Sequence, residues 1–269
     1  MTNSLSGIKL FLLDLDGTFL LGDRLIDGSV HFLDVLQSQG KEYLFLTNNS
    51  SKHRRLYAEE LNQLGVSIPE TRIFTSGEAT AIFIKNTKPD ARLYVVGTPA
   101  LEDEFRSYGF TLTEVAPDIV VLGFDTTLTY AKLWKLCDLV RSGLPYISTH
   151  PDFNCPTETG FMPDIGATIA FVKASTGRDP DQVIGKPNRS IVDAISQKLH
   201  LPLDALAMVG DRLYTDIALG ASSGITTILV FSGETRPEDL QNSLFQPTYT
   251  FKNLGHLADW LTDSANDSL

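Results

Sequence analysis

Ile8-Lys9-Leu10-Phe11-Leu12-Leu13-Asp14-Leu15-Asp16-Gly17-Thr18 decides how the rest of the chain is read. An apolar run ends abruptly in two carboxylates one residue apart, followed by a glycine. A run of this length, bounded by a turn signal, reads as a strand buried on both faces. Asp14 then sits at its carboxyl end, where open α/β sheets place their ligands. Side chains two apart in an extended chain share a side, so Asp14 and Asp16 can reach one small volume. Gly17 lets the chain leave the strand through backbone angles that other residues avoid. Two crowded carboxylates repel unless a proton or cation joins them, and oxygen ligands suit a hard divalent ion. Taken alone, the stretch is equally well a strand followed by an acidic turn; the rest of the chain decides.

The chain has 269 residues, room for one large domain or two at roughly 100–200 residues each. Hydrophobic content of 42% and charged content of 20% are those of a globular protein with a real core. No run approaches the roughly 18 apolar residues of a membrane helix. Met1-Thr2-Asn3-Ser4 lacks the charged and apolar regions of a signal peptide. Cys137 and Cys155 show no metal-like pairing, so the reducing cytoplasm is the expected compartment. A net charge of −11 without a basic block argues against nucleic acid. An anionic substrate needs locally concentrated positive charge to overcome that field.

Strand and helix patterns alternate along the chain. Phe19 to Asp27 reads as a tight turn or small hairpin. Strands are expected at Tyr43 to Leu46, Arg92 to Val96, Asp118 to Leu122, Pro145 to Ser148, Leu206 to Val209 and Thr226 to Val230. Helices fall between them, and Gly40 and Gly65 stand where left-handed caps close two of them. His150 to Pro163, with three prolines and a glycine, reads as a long loop, and Gly166 to Ala174 as a helix. Alternating β and α implies parallel sheets. The rhythm of strand and helix patterns restarts near residue 80.

Four polar clusters lie at or near strand ends: Asp14/Asp16, Thr47/Asn48/Asn49, Lys186 and Asp211/Asp216. In a doubly wound sheet the strand carboxyl ends line one edge, so distant clusters can converge there. Carboxylates, a hydroxyl, amide donors and one ammonium suit a magnesium ion and a phosphate. No Cys/His zinc pattern, Walker loop or G-x-S-x-G elbow is present. Lys186 before a proline is also a common exposed turn, Asn48 and Asn49 are also helix caps, and Arg212 reads as a solvated or helix-start residue. His31, His53, His200 and His256 fit helix surfaces.

Asp14-Leu15-Asp16-Gly17-Thr18, Thr47-Asn48-Asn49, Gly185-Lys186-Pro187 and Gly210-Asp211-Arg212-Leu213-Tyr214-Thr215-Asp216 together resemble the four motifs of the haloacid dehalogenase-like superfamily. The likeness is greatest to its NagD-like, 4-nitrophenyl phosphatase branch and extends to about Leu254. It implies a Rossmann-like core and a Mg²⁺-dependent phosphatase of small phosphorylated metabolites. Asp14 would be the nucleophile and Asp16 the general acid and base. Asp14, Asp211 and the main-chain carbonyl of Asp16 would hold the metal, with Asp216 orienting ligands or binding through water. Thr47, the Asn48 amide, Asn49 and Lys186 would hold the phosphoryl oxygens, on the expectation that a helix opens just past Thr47.

The likeness implies a core of residues 1–82 and 182–269 and an α/β insertion over 83–181 that resembles the NagD-like cap; within it Asp152, Asn154 and Cys155 are the expected leaving-group contacts. Pyridoxal phosphate phosphatases of that branch carry a histidine about where Cys155 stands, so that substrate is not implied. Phosphomutase chemistry and a phospho-accepting receiver-like role stay open as alternatives, the first lacking its usual cap and the second being half this length. The expected partner is a small metabolite, without nucleic acid or membrane, and a homodimer is left open.

Overall fold

The computed structural model describes residues 5–157 and 160–266. Its elements begin with β1 (Leu10–Leu13), the hairpin β2 (Leu20–Leu21) and β3 (Arg24–Leu25), α1 (Ser29–Ser38), β4 (Glu42–Thr47), α2 (Arg54–Gln63), β5 (Ile73–Thr75) and α3 (Ser76–Thr87). Next come β6 (Arg92–Val96), α4 (Pro99–Ser107), β7 (Thr111–Leu112), β8 (Ile119–Leu122), α5 (Tyr130–Arg141) and β9 (Tyr146–Ser148). They are followed by β10 (Asn154–Thr157), β11 (Gly160–Pro163), α6 (Ile165–Thr176), β12 (Gln182–Val183) and α7 (Ser190–Leu199). The last are β13 (Leu206–Gly210), a π-helical turn (Leu213–Ile217), α8 (Ala218–Ser223), β14 (Thr226–Val230), β15 (Tyr249–Phe251) and α9 (Leu254–Asn266).

The chain divides into two compact units, Met1–Leu46 with Glu60–Ile73 and Pro187–Leu269, and Thr47–Glu59 with Phe74–Lys186. The first is built on a six-stranded sheet in the order β15-β14-β13-β1-β4-β5, a Rossmann-like arrangement. β1 lies inside it, parallel to β13 on one side and β4 on the other. All four of its residues are buried, as the unbroken apolar run requires. Phe11 meets Phe32 of α1 edge to face at 5.7 Å. Each fully buried Leu or Phe contributes about 1.5–3 kcal/mol, so this strand is expensive to disturb. α1 in turn packs against α9. Between β1 and α1 the expected hairpin forms from β2 and β3.

The second unit carries a five-stranded parallel sheet, β12-β9-β8-β6-β7. Tyr94, Val96, Val120, Leu122 and Tyr146 fill its core with Leu136 and Val140 of α5 and Val172 of α6. Side chains of Thr98, Thr129 and Asp164 accept the first free N–H groups of α4, α5 and α6. Each such cap is worth about 1 kcal/mol. The expected boundaries were 82/83 and 181/182. Packing groups α3 with this unit because α3 lies against α4. No helix among the described residues is long and apolar enough to cross a membrane.

The joint between α3 and α4 contains two buried carboxylates, Glu78 and Glu104. Glu78 accepts from Arg54 at 3.2 Å and from the Tyr108 hydroxyl at 2.9 Å. Among the described residues, the side-chain donor to Glu104 is the Thr75 hydroxyl, at 3.3 Å. Burial, then the charge of Glu78, push the Glu104 carboxyl up to about 8. Unfolded, it titrates near the ordinary value of 4.5. Between these values the folded protein keeps a proton that the unfolded chain has lost, so stability falls as pH rises through that window. In Glu104→Gln this part of the pH dependence disappears. Urea midpoints at pH 5.0, 6.5 and 8.0, chosen to span roughly that window, measure it. A mutant and a wild type with parallel pH profiles would show that Glu104 ionises normally.

Candidate active site

In the first unit the carboxylates meet at one sheet edge. Asp14 directly follows β1, and its N–H donates to Val209 of β13 at 2.9 Å, continuing the ladder. Asp211 directly follows β13. Parallel pairing of these neighbours brings both side chains to the carboxyl edge. Asp216 comes from the π-helical turn that follows, where its Oδ2 accepts the Arg212 N–H at 3.1 Å. Ligand oxygens of Asp14, Asp211 and Asp216 all lie within 4.8 Å of one another, and all three residues are buried. Asp16, half-buried and three residues past the strand, has its carboxylate outside this cluster; its main-chain carbonyl was the expected ligand. Gly17 turns the chain at φ 92, and a Cβ there would lie 2.4 Å from Asp211 Oδ2.

Asp211 carries the electrostatic strain. Burial and then the neighbouring Asp14 hold its carboxyl well above the usual range, against the opposing pull of Arg212 and the Glu234 N–H. Its Oδ2 accepts that N–H at 2.6 Å. Its Oδ1 is buried and has no hydrogen-bond partner among the described residues. An unpartnered buried oxygen on a carboxylate that clusters with two further carboxylates fits a hard divalent cation. Arg212 departs from expectation: it is buried, and its Nε pairs with Glu234 at 2.9 Å. That partner arrives from a loop after β14, beyond the reach of local sequence.

The remaining candidates lie in the second unit. Thr47 ends β4, but no helix opens there: 48–53 are irregular and α2 begins at Arg54. The local side chains explain this, since they bond the backbone in place of a helical turn. Asn49 N–H donates to Thr47 Oγ1 at 3.1 Å, and Asn49 Oδ1 accepts from Ser51 N–H at 3.0 Å. Asn48 is a junction. Its Oδ1 accepts the Lys186 N–H at 2.8 Å, and its Nδ2 donates to the Lys186 carbonyl at 3.0 Å. The same Nδ2 lies 3.1 and 3.2 Å from the two Asp152 oxygens. Lys186 is buried, not the exposed turn residue that its sequence context also allowed.

His150 to Pro163 is not a plain loop. β10 and β11 pair antiparallel within it, and Glu158 and Thr159 lie outside the described residues. A two-stranded ribbon is all edge, which is why prolines at 156 and 163 are tolerated. Asn154 is exposed; Cys155 and its partner Met162 pack onto the unit's core. Asp152 is buried against Asn48. Sequence reasoning gave His150 no separate role. It is fully buried, with Nε2 3.0 Å from Asp164 Oδ1, and Asp164 also caps α6. The Asp before an apolar helix was the available signal.

Residues 11–111 match the haloacid dehalogenase-like hydrolase family and residues 183–257 the HAD-hydrolase-like family. An acid sugar phosphatase of Staphylococcus haemolyticus is 39% identical over 247 residues, covering 91% of this chain and 94% of its own. The crystal structure of a 4-nitrophenylphosphatase from Thermotoga maritima superposes with a TM-score of 0.92 at 49% identity, over 95% of this chain and 98% of that one. NagD from Escherichia coli K-12 superposes at 0.85 with 32% identity, over 92% and 97%. The chain therefore belongs to the haloacid dehalogenase-like hydrolases, in the branch of NagD and the 4-nitrophenylphosphatases. Its reaction class is phosphoric monoester hydrolysis, the first of the classes that the residues had left open.

Asn48→Ala leaves the buried Lys186 amide and carbonyl without these partners. At roughly 1–3 kcal/mol for each of these two polar groups, a loss of about 2–6 kcal/mol is expected. Urea unfolding measures it, and a loss below about 1 kcal/mol would show that water or neighbours replace the bonds.

Proposed function

We propose that this chain is a magnesium-dependent phosphatase of small phosphomonoesters, sugar phosphates among them, working through an aspartyl-phosphate on Asp14. The observation that carries the reading is the buried Asp14–Asp211–Asp216 cluster, with its unpaired Asp211 oxygen, in a member of a phosphatase branch. Asp14 and Asp211 would hold the cation, with the main-chain carbonyl of Asp16, while Asp216 orients the set. Bound there, the cation neutralises charge that otherwise keeps a dianionic phosphate away from carboxylates.

Asp14 attacks phosphorus, the bond to the ester oxygen breaks, and Asp16 gives that oxygen its proton. A water then attacks the aspartyl-phosphate at phosphorus, Asp16 takes its proton, and inorganic phosphate leaves with Asp14 restored. Thr47, the Asn48 N–H, Asn49 and Lys186 are proposed to hold the phosphoryl oxygens. The tie between Asn48 and the Lys186 main chain supports a shared task for that pair.

Residues 83–181 are proposed as the cap that selects the ester group. Asn154 on the hairpin is the preferred leaving-group contact, and the engagement of Asp152 and Cys155 within their own unit favours supporting roles for them. The reducing cytoplasm is the proposed compartment, in keeping with two cysteines that form no disulfide.

Release of inorganic phosphate from 4-nitrophenyl phosphate and a panel of sugar phosphates tests the reading. EDTA should abolish turnover and Mg²⁺ restore it; full turnover in verified metal-free buffer would overturn the metal assignment. Asp14→Asn should lose turnover by many powers of ten with the fold intact, because the amide cannot attack phosphorus. Asp16→Asn should lose roughly 10²–10⁴-fold, with a smaller loss in phosphoenzyme formation when the leaving group is good. Equal losses for good and poor leaving groups would remove Asp16 as the acid.

A further inference from the structure

After β14 the chain runs Phe231-Ser232-Gly233-Glu234-Thr235 across the carboxylate edge of the first unit. Three of these residues tie the segment down. Ser232 Oγ donates to the Gly17 carbonyl at 2.8 Å. Glu234 N–H donates to Asp211 Oδ2 at 2.6 Å, and Thr235 N–H to the Asp211 carbonyl at 3.3 Å. A Cβ on residue 233 would sit 2.0 Å from Asp211 Oδ2 and 2.7 Å from the Gly17 α-carbon. One on residue 17 would sit 2.4 Å from the same oxygen. Backbone therefore closes around Oδ2 from two sides, with no room for a side chain.

The outer side of this strap is fastened through the Glu234 carboxylate. Arg212 Nε donates to its Oε2 at 2.9 Å. The Tyr214 hydroxyl lies 2.9 and 3.0 Å from its two oxygens. Arg212 and Tyr214 both follow Asp211 in the chain, so the strap is clamped to the segment that carries the carboxylate it covers. The outcome is an asymmetric carboxylate: Oδ2 is enclosed and bonded, while Oδ1 is buried without a hydrogen-bond partner among the described residues.

That asymmetry has a chemical consequence for an ion. A carboxylate whose second oxygen is enclosed ligates through one oxygen only. Magnesium takes six ligands in a near-ideal octahedron and uses carboxylates one oxygen at a time. Calcium takes six to eight, readily including both oxygens of one carboxylate. We infer that Glu234 is a positioning residue, holding Asp211 to single-oxygen ligation and so biasing the site toward magnesium over calcium. The inference rests on the metal assignment proposed above and adds a selectivity device to it.

Isothermal titration of Mg²⁺ and, separately, Ca²⁺ into chelator-treated full-length protein tests it. Glu234→Ala should weaken Mg²⁺ roughly tenfold or more, the usual scale for removing a group that orients a ligand. Ca²⁺ should weaken less, so the preference for Mg²⁺ narrows. The metal-free melting temperature is read alongside and should fall, because the buried Arg212 loses its Glu234 partner; both ions are titrated into the same folded variant, so the ratio of their constants is unaffected by that loss. Equal weakening of both ions, or an unchanged Mg²⁺ constant, overturns the inference. If Glu234→Ala does not fold, Tyr214→Phe carries the test: it should narrow the preference by a smaller factor, and an unchanged preference overturns the inference. Asp211→Asn separates the two claims. Wild-type protein that binds Mg²⁺ no better than this variant overturns the metal assignment itself.

Discussion

Asp14 and Asp211 are buried side by side because β1 and β13 are parallel neighbours that end level with one another. The register pairs Leu13 with Val209, and each carboxylate follows within two residues. Two like charges in one dry place oppose folding. The strands that impose this are apolar on both faces and buried throughout, so their packing offsets the repulsion. The site is thus a point of stored electrostatic tension that a cation or proton relieves. Its supporting contacts, from the Gly17 turn to the strap over Asp211, follow from holding that pair in place.

Much of this was legible in the chain. An unbroken apolar run identified β1 as a doubly covered strand, and Asp14 at its end pointed to the edge where three carboxylates cluster. The alternation of strand and helix patterns identified parallel sheets. These features are local or periodic, and periodicity survives any tertiary context. The grouping of Asp14 with Asp211 and Asp216 was also legible, because the carboxyl ends of parallel strands share one edge.

What was not legible depended on partners distant in sequence or on main-chain groups. Nothing around Arg212 announces Glu234, twenty-two positions on. A backbone N–H on Asp211 leaves no residue-type signal at all. The segment 48–53 looked like a helix start, yet Asn49 and Ser51 bond the backbone locally and delay α2 to Arg54. Prolines made the stretch before α6 look like a loop, although a ribbon with two free edges accommodates them. Asp152 was expected to contact the leaving group from a loop; its partner, Asn48, lies over a hundred residues away.

The hairpin of β10 and β11 divides its two faces between different duties. Cys155 and Met162 stand opposite one another and lean on the core of their unit, while Asn154 and Phe161 are exposed. Residues on the outer face therefore bear little of the unit's stability, and exchanging them leaves the packing beneath untouched. The carboxylate edge has no such freedom, since glycines at 17 and 233 exclude every side chain. Within one chain, then, selection finds a stretch open to experiment and a stretch closed to it. Descendants of this protein can vary the outer face of the hairpin while inheriting the carboxylate edge unchanged.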